Sequence, residues 1–378
     1  MAARADTCSG SCKDRSRKAS EESRPMLNIH HAILHAFDFD TGATFLSDHE
    51  LDLDEKLVKS YVRRHLNRCV SSERNMHGEF AEGSGFVEEL LLYLSHRASF
   101  EALSKQIAQF LWEKLRTCDD LEPMDLLVAD FEQSADAPKG DADEEELEKA
   151  FAAEPVRRFA IVLLPRSQTF MHSIEHPSGG AFNEIVRHDA TLPNPSGKVN
   201  TYALIDCATL AVDFSDKART IAGAEVWIMP NMLLQCSREP SSREVIEDVE
   251  RIVEQVAEEH GANPVRAVSR AKACVAHSAE LDERLMPEQI GAQVFEDEPA
   301  LAQSYEEEAR EAGLPEEVHV RRAAARRLTK THRIRTDTGI DIAFPSEYSS
   351  GNDYIAFDRE EDGSLTITIR NVKHIENR

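Results

Sequence analysis

A chain of 378 residues, 41% of them hydrophobic, is long enough for two domains with separate cores and too well patterned to be disordered throughout. Its formal net charge of −25 excludes a surface that attracts nucleic acid everywhere. A polyanion contact on such a molecule has to be local, and a Debye length of about 8 Å at physiological salt lets one cationic patch act while acidic faces stand a domain-width away.

Residues 1–24 mix Ser, Lys and Arg with almost nothing to bury, which is the composition of a disordered tail. Cys8 and Cys12 within it are two ligands short of a metal site. The seven cysteines are scattered and never form a CxxC pair, so they read as reduced thiols in the cytoplasm. No apolar run reaches membrane-spanning length, and the first residues lack the hydrophobic centre of a signal peptide.

Alternation over 27–37 predicts a strand, turned back by Asp40-Thr41-Gly42. Ser47 with Glu50, then Asp54, are helix-start signals, and Leu57, Val58, Tyr61, Val62, His65, Leu66 and Cys69 trace one helical face. Gly83-Ser84-Gly85 lacks the third glycine of a dinucleotide loop. Residues 86–118 read as helix in two pieces, broken near Ser99, with Leu90, Leu94, Leu103, Ile107, Phe110 and Leu111 as the buried stripe.

At Met124 the period changes to two. Residues 124–131, 158–164, 168–176, 183–190, 200–205 and 210–214 read as strands of one antiparallel sheet. An acidic insert, 132–154, separates the first two; its 141–146 run is expected to be solvated, the alternative being a mimic of nucleic-acid charge that covers a basic face. A domain boundary is expected near Glu239-Pro240, dividing an N-terminal α+β domain, 25–239, from a C-terminal domain, 240–378.

Beyond it, Ser241 with Glu244 forms a capping box, and Val245, Val249, Ile252, Val253 and Val256 make a stripe that stops at Gly261. That stripe is either core or the face of a homodimer. Asn263-Pro264 opens a second helix and Pro299 a third, which ends at Gly313.

The last stretch reverses the sign of the chain. Arg321, Arg322, Arg326, Arg327, Lys330, Arg333 and Arg335 occur with no acidic residue before Asp337. Arg322, Arg326, Lys330 and Arg333 stand at helical spacing, so a helix persisting through Lys330 would gather them on one face. A small β-meander follows, with Ile340, Ile342 and Phe344, then Ile355 and Phe357, then Leu365, Ile367 and Ile369 on one face, and Asp362-Gly363 as a tight turn. Arg370 and Lys373 extend the cationic set. Such a patch would hold DNA by its phosphates without reading bases, because no Asn or Gln sits among the cations. The competing reading pairs the same arginines with the abundant carboxylates, for instance those of Glu306 to Glu308.

Candidate chemistry elsewhere is thin. His31 with His35, His172 with His176, and Glu184 with His188 each share a strand face, but none has a third ligand in its motif. No HExxH, phosphate-binding loop or nucleophile elbow occurs. The expectation is a protein with neither cofactor nor catalytic residues.

Several segments carry a resemblance to a known family. Gly339 to Ile342, Pro345 to Tyr348 and Asp362 to Val372 resemble the C-terminal signature of the bacterial nucleoid-associated proteins (NdpA type), and 32–38, 46–54, 124–132 and 190–206 are similar to earlier segments in collinear order. The resemblance runs from Leu27 to the end. It implies association with the bacterial nucleoid and sequence-tolerant nucleic-acid binding, with no catalytic activity assigned; together with the cationic patch the expectation is a cytoplasmic, non-catalytic nucleoid protein that binds double-stranded DNA by its phosphates. Two rival functions are an adaptor that meets nucleoid or defence proteins and a metal-dependent nuclease built on His31, His35 or Glu184. A homodimer would gain avidity from two linked patches.

Overall fold

The computed structural model describes residues 26–39, 41–134, 154–175, 182–349, 353–359 and 365–374. The predicted 1–24 tail with Cys8 and Cys12, most of the acidic insert including 141–146, His176 and the Asp362-Gly363 turn lie outside the described residues. The chain divides into two units: the described residues of Met1–Ser72 and His77–Arg238, and those of Glu73–Met76 and Glu239–Arg378.

The first unit is built on a seven-stranded sheet. In chain order its elements are β1 (Leu27–Asp38), β2 (Ala43–Phe45), α1 (Lys56–Val70), β3 (Met76–Gly78), α2 (Gly85–Leu94), α3 (Phe100–Leu115), β4 (Met124–Gln133), β5 (Val156–Pro165), β6 (Ser167–Glu175), β7 (Phe182–Thr191), β8 (Thr201–Asp206), β9 (Val212–Ser215), β10 (Arg219–Ile221) and β11 (Ala224–Val226). The sheet order is β2-β1-β4-β5-β8-β9-β3, and the ladders from β2 through β9 are antiparallel.

Both faces of the central strands are apolar because both are covered by helices. Leu127, Ala129 and Phe131 of β4, with Ala160, Val162 and Leu164 of β5, pack against Val62, Leu66, Cys69 and Val70 of α1. A register shift in β1 between Ile29 and His31 changes the parity of that strand. Leu27 and Ile29 before it, and Ala32 and Leu34 after it, therefore join the same cluster despite their odd and even numbers. The α3 helix begins where Ser99 accepts the Ala102 N–H at 3.2 Å, which accounts for the predicted break.

The strands 168–176 and 183–190, expected in the main sheet, are corrected by the structure. β6 and β7 pair with each other as a separate two-stranded ribbon. Phe170, Met171, Ile185 and Val186 are exposed on it. These adjacent pairs leave apolar side chains exposed on both faces of the ribbon, and a strand-like pattern does not determine which strands become neighbours.

The second unit contains α4 (Ser242–Glu259), α5 (Pro264–Asp282), β12 (Arg284–Leu285), α6 (Ile290–Val294), α7 (Pro299–Glu311), β13 (Val318–His319), α8 (Arg322–Thr329), β14 (Thr331–Arg335), β15 (Asp341–Pro345), β16 (Ile355–Arg359) and β17 (Leu365–Ile369). Both hydrogen bonds of the Ser241–Glu244 capping box are present. The stripe Val245, Val249, Ile252, Val253 and Val256 is buried against Ala271 and Val275 of α5 and Tyr305 of α7. It is core, and it offers no face to a second copy. The fold is α+β, with the small C-terminal strands arranged as two hairpins, β14–β15 and β16–β17. Phe344, Ile355 and Phe357, with Ile334, Ile342 and Ile367 packed on them, form a core that joins the hairpins to Val265 of α5.

One polar cluster is buried in the first unit. The Asp130 side chain, with no exposure, accepts Tyr93 Oη at 2.5 Å and Arg157 Nη2 at 2.6 Å. Burial and the Asp130 carboxylate push the Tyr93 hydroxyl well above its ordinary range. Removing the carboxylate strands both donors, so Asp130→Ala is expected to lower the unfolding free energy by about 2–3 kcal/mol, the usual loss for a broken buried pair reduced for the partial exposure of Arg157. Denaturant unfolding of this variant checks it, and an unchanged midpoint would contradict the role given to the pair.

Candidate nucleic-acid interface

The cationic segment folds as a short helix running into a strand. Three alanines and Leu328 give α8 its propensity, and Ala324, Ala325 and Thr329 form its buried side. Its first turn is closed from outside: the Arg322 N–H donates to Glu283 Oε1 at 3.0 Å. Arg321 is the half-buried N-cap residue. Arg322, Arg326, Arg327 and Lys330 are exposed.

The helix ends at Thr329 and does not continue to Arg335 as the spacing suggests. Thr331–Arg335 pairs with Asp341–Pro345 in an antiparallel ladder. The strand wins because its alternate residues have somewhere to go. His332 is buried and stacks on Phe344 at 5.3 Å, and Ile334 packs in the hairpin core. Thr331, Arg333 and Arg335 consequently share the outer face. Arg333 stands opposite Ala343, and Arg335 opposite Asp341. Gly339, at φ +87°, supplies the left-handed residue that the turn between these strands requires.

Carboxylates have taken part of this set. Arg326 Nε donates to Glu280 Oε1 at 2.6 Å, and this hydrogen bond holds the Glu280 carboxyl below its usual range. Arg327 Nη2 donates to Glu73 Oε2 at 2.7 Å. Arg335 lies 3.7 Å from Asp341, with both side chains about three-quarters exposed (74% and 73%). The residues expected to compete, Glu306 to Glu308, are not these partners; Glu306 instead pairs with Arg310 of its own helix at 2.7 Å. Among the described residues, no ion pair engages Lys330 or Arg333. Arg370 and Lys373 are exposed beyond the end of β17.

Histidine candidates elsewhere are absorbed into structure. His35 is fully buried; its Nδ1 accepts the Ser47 N–H at 3.0 Å, and its Nε2 lies 3.1 Å from Ser104 Oγ. That first contact also explains why Ser47 is no helix cap: α1 starts nine residues later, at Lys56. His31 pairs with Glu50 at 3.0 Å and stacks on Phe100. His172, Glu184 and His188 are exposed on the β6–β7 ribbon. Among the described residues, no three His, Cys, Asp or Glu side chains gather as a metal-ligand set.

A family model described as nucleoid-associated protein YejK matches residues 33–376. The chain belongs to that family, which carries a role in the bacterial nucleoid. No curated protein matches the chain. Among the described residues, no helix is long and apolar enough to cross a membrane.

His332 ties the stability of this element to pH. Burial, with the charge of Lys272 second, lowers its pKa from 6.5 to about 4. Its Nδ1 lies 2.8 Å from Ser269 Oγ, while Lys272 donates to the Thr331 carbonyl and pairs with Glu250 at 3.2 Å. The folded protein binds a proton here less readily than the unfolded chain does. The neutral-ring stability is therefore complete above about 6.5 and is lost as pH falls toward about 4. His332→Gln is expected to reduce the acid sensitivity of unfolding across that window by up to about 3 kcal/mol, at about 1.36 kcal/mol per pH unit. Parallel pH dependences for wild type and variant would contradict it.

Proposed function

We propose that the protein binds double-stranded DNA through backbone phosphates, with little dependence on base sequence and without catalysis. The observation that carries this reading is the exposed outer side of α8–β14, where Arg322, Lys330, Arg333 and Arg335 follow one another within fourteen residues of an otherwise acidic chain. Family membership supports the same polyanion.

The ion pairs on this element do not remove its cations from use. The Arg326–Glu280 and Arg335–Asp341 pairs are solvent-exposed, and solvent screening leaves exposed pairs weakly held. A phosphate can take the guanidinium while the carboxylate returns to water. The absence of Asn and Gln, the side chains that read adenine edges, supports positioning of the phosphates over reading of the bases.

A salt series of duplex binding tests this directly. Each phosphate contact lowers log K by about 0.9 per unit of log salt, so Lys330→Gln/Arg333→Gln is expected to flatten the slope by about 1.8 and weaken binding at every sequence tested. Glu280→Gln, which releases Arg326, is expected to strengthen binding. Unchanged slope and affinity in the double variant would overturn this interface. Negligible duplex binding by the wild type at physiological salt, with a protein that copurifies after nuclease treatment, would favour the adaptor reading.

A further inference from the structure

Carboxylates engage part of the α8 set, whereas in a second set, in the first unit, Arg68 donates to a backbone carbonyl. Helix α1 carries Lys56, Lys59, Arg63, Arg64 and Arg68 in fifteen residues with no Asp or Glu. Its apolar stripe, Val62, Leu66, Cys69 and Val70, is committed to the sheet. At about 100° per residue Lys56, Lys59 and Arg63 fall inside an arc of about 60° along one edge of that stripe, and Arg64 and Arg68 lie further round, so that the five together span about half of the helix circumference. All five are exposed.

We infer that this face of α1 is a second phosphate-binding surface for duplex DNA, resting on the DNA-binding reading of the protein and carried by different residues. Among the described residues, no ion pair engages Lys56, Lys59, Arg63 or Arg64. Asp52, Asp54 and Glu55 precede the first turn, where the positive end of the helix favours them, and Glu73, three residues past its end, accepts Arg327. The sign of the chain changes at Lys56 and stays positive to the end of the helix.

A neighbouring loop widens the patch. Tyr61 Oη donates to the Pro193 carbonyl at 3.0 Å, and Arg68 Nη1 to the Ser196 carbonyl at 2.6 Å. These bonds hold the 192–199 segment beside α1, with Lys198 exposed on it. From Lys56 to Arg68 the helix runs about 18 Å, a length that spans several successive phosphates of one strand. A lipid surface is disfavoured, because the apolar face that would enter it is already buried under the sheet.

The test uses the full chain and a fluorescent duplex of random sequence, titrated over a salt series. Lys59→Gln/Arg63→Gln/Arg64→Gln is expected to flatten the slope of log K against log salt by about 2.7 and to lower affinity tenfold or more, with an unchanged circular dichroism spectrum. Arg63→Lys/Arg64→Lys, which keeps the charge, is expected to retain the slope. Wild-type binding with an unaltered slope in the triple variant overturns this inference alone, whatever the α8–β14 variant does. Loss of a copurifying acidic protein without loss of DNA binding reassigns the face and also overturns it. A wild type that fails to bind the duplex removes the DNA reading itself, and this surface with it.

Discussion

A cation can serve a phosphate only if no carboxylate of its own chain holds it more tightly. With 69 acidic side chains against 44 Lys and Arg, that competition governs the surface of this molecule. Its outcome differs from place to place. Asp130 and Arg157 meet beneath Tyr93, where the pair is part of the fold. Arg326 and Glu280 meet in water, where exchange costs little. On α1, carboxylates lie before and after the helix and the body is left cationic.

The folds of the two units keep these surfaces in place by ordinary means. In the first, the parity change in β1 lets one face of the sheet present a continuous apolar surface to α1, and the cationic side chains of the helix are left exposed. In the second, the burial of His332 and Ile334 under the β14–β15 hairpin points Thr331, Arg333 and Arg335 outward. In both, cationic exposure follows from where apolar side chains are buried. It needs no dedicated scaffold.

Periodicity in the sequence is enough to find most of these elements. The central strands β4, β5 and β8, the break at Ser99 and the capped start of α4 all announce themselves by local chemistry. The segment from Arg321 to Arg335 does not, because its charges fit a period of nearly four while His332 and Ile334 fit a period of two. Choosing between them requires knowing that Phe344 waits across the ladder. The partners Glu73 and Glu280 are equally invisible, since they reach Arg327 and Arg326 from distant sequence. The placement of β6 and β7 in the main sheet fails for a related reason: a strand-like pattern leaves the neighbour open. The α1 cations stand in plain view in the sequence, but reading that helix for its apolar stripe passes over the charge beside it.

The most direct measurement of the whole account is amide hydrogen exchange of the full chain with and without a saturating random-sequence duplex. Protection confined to α1 with its 192–199 loop and to α8 with β14 is the result expected of two cationic faces holding phosphates. Protection centred elsewhere, or none at saturation, would contradict the claim that local freedom from carboxylates decides where this acidic protein meets DNA.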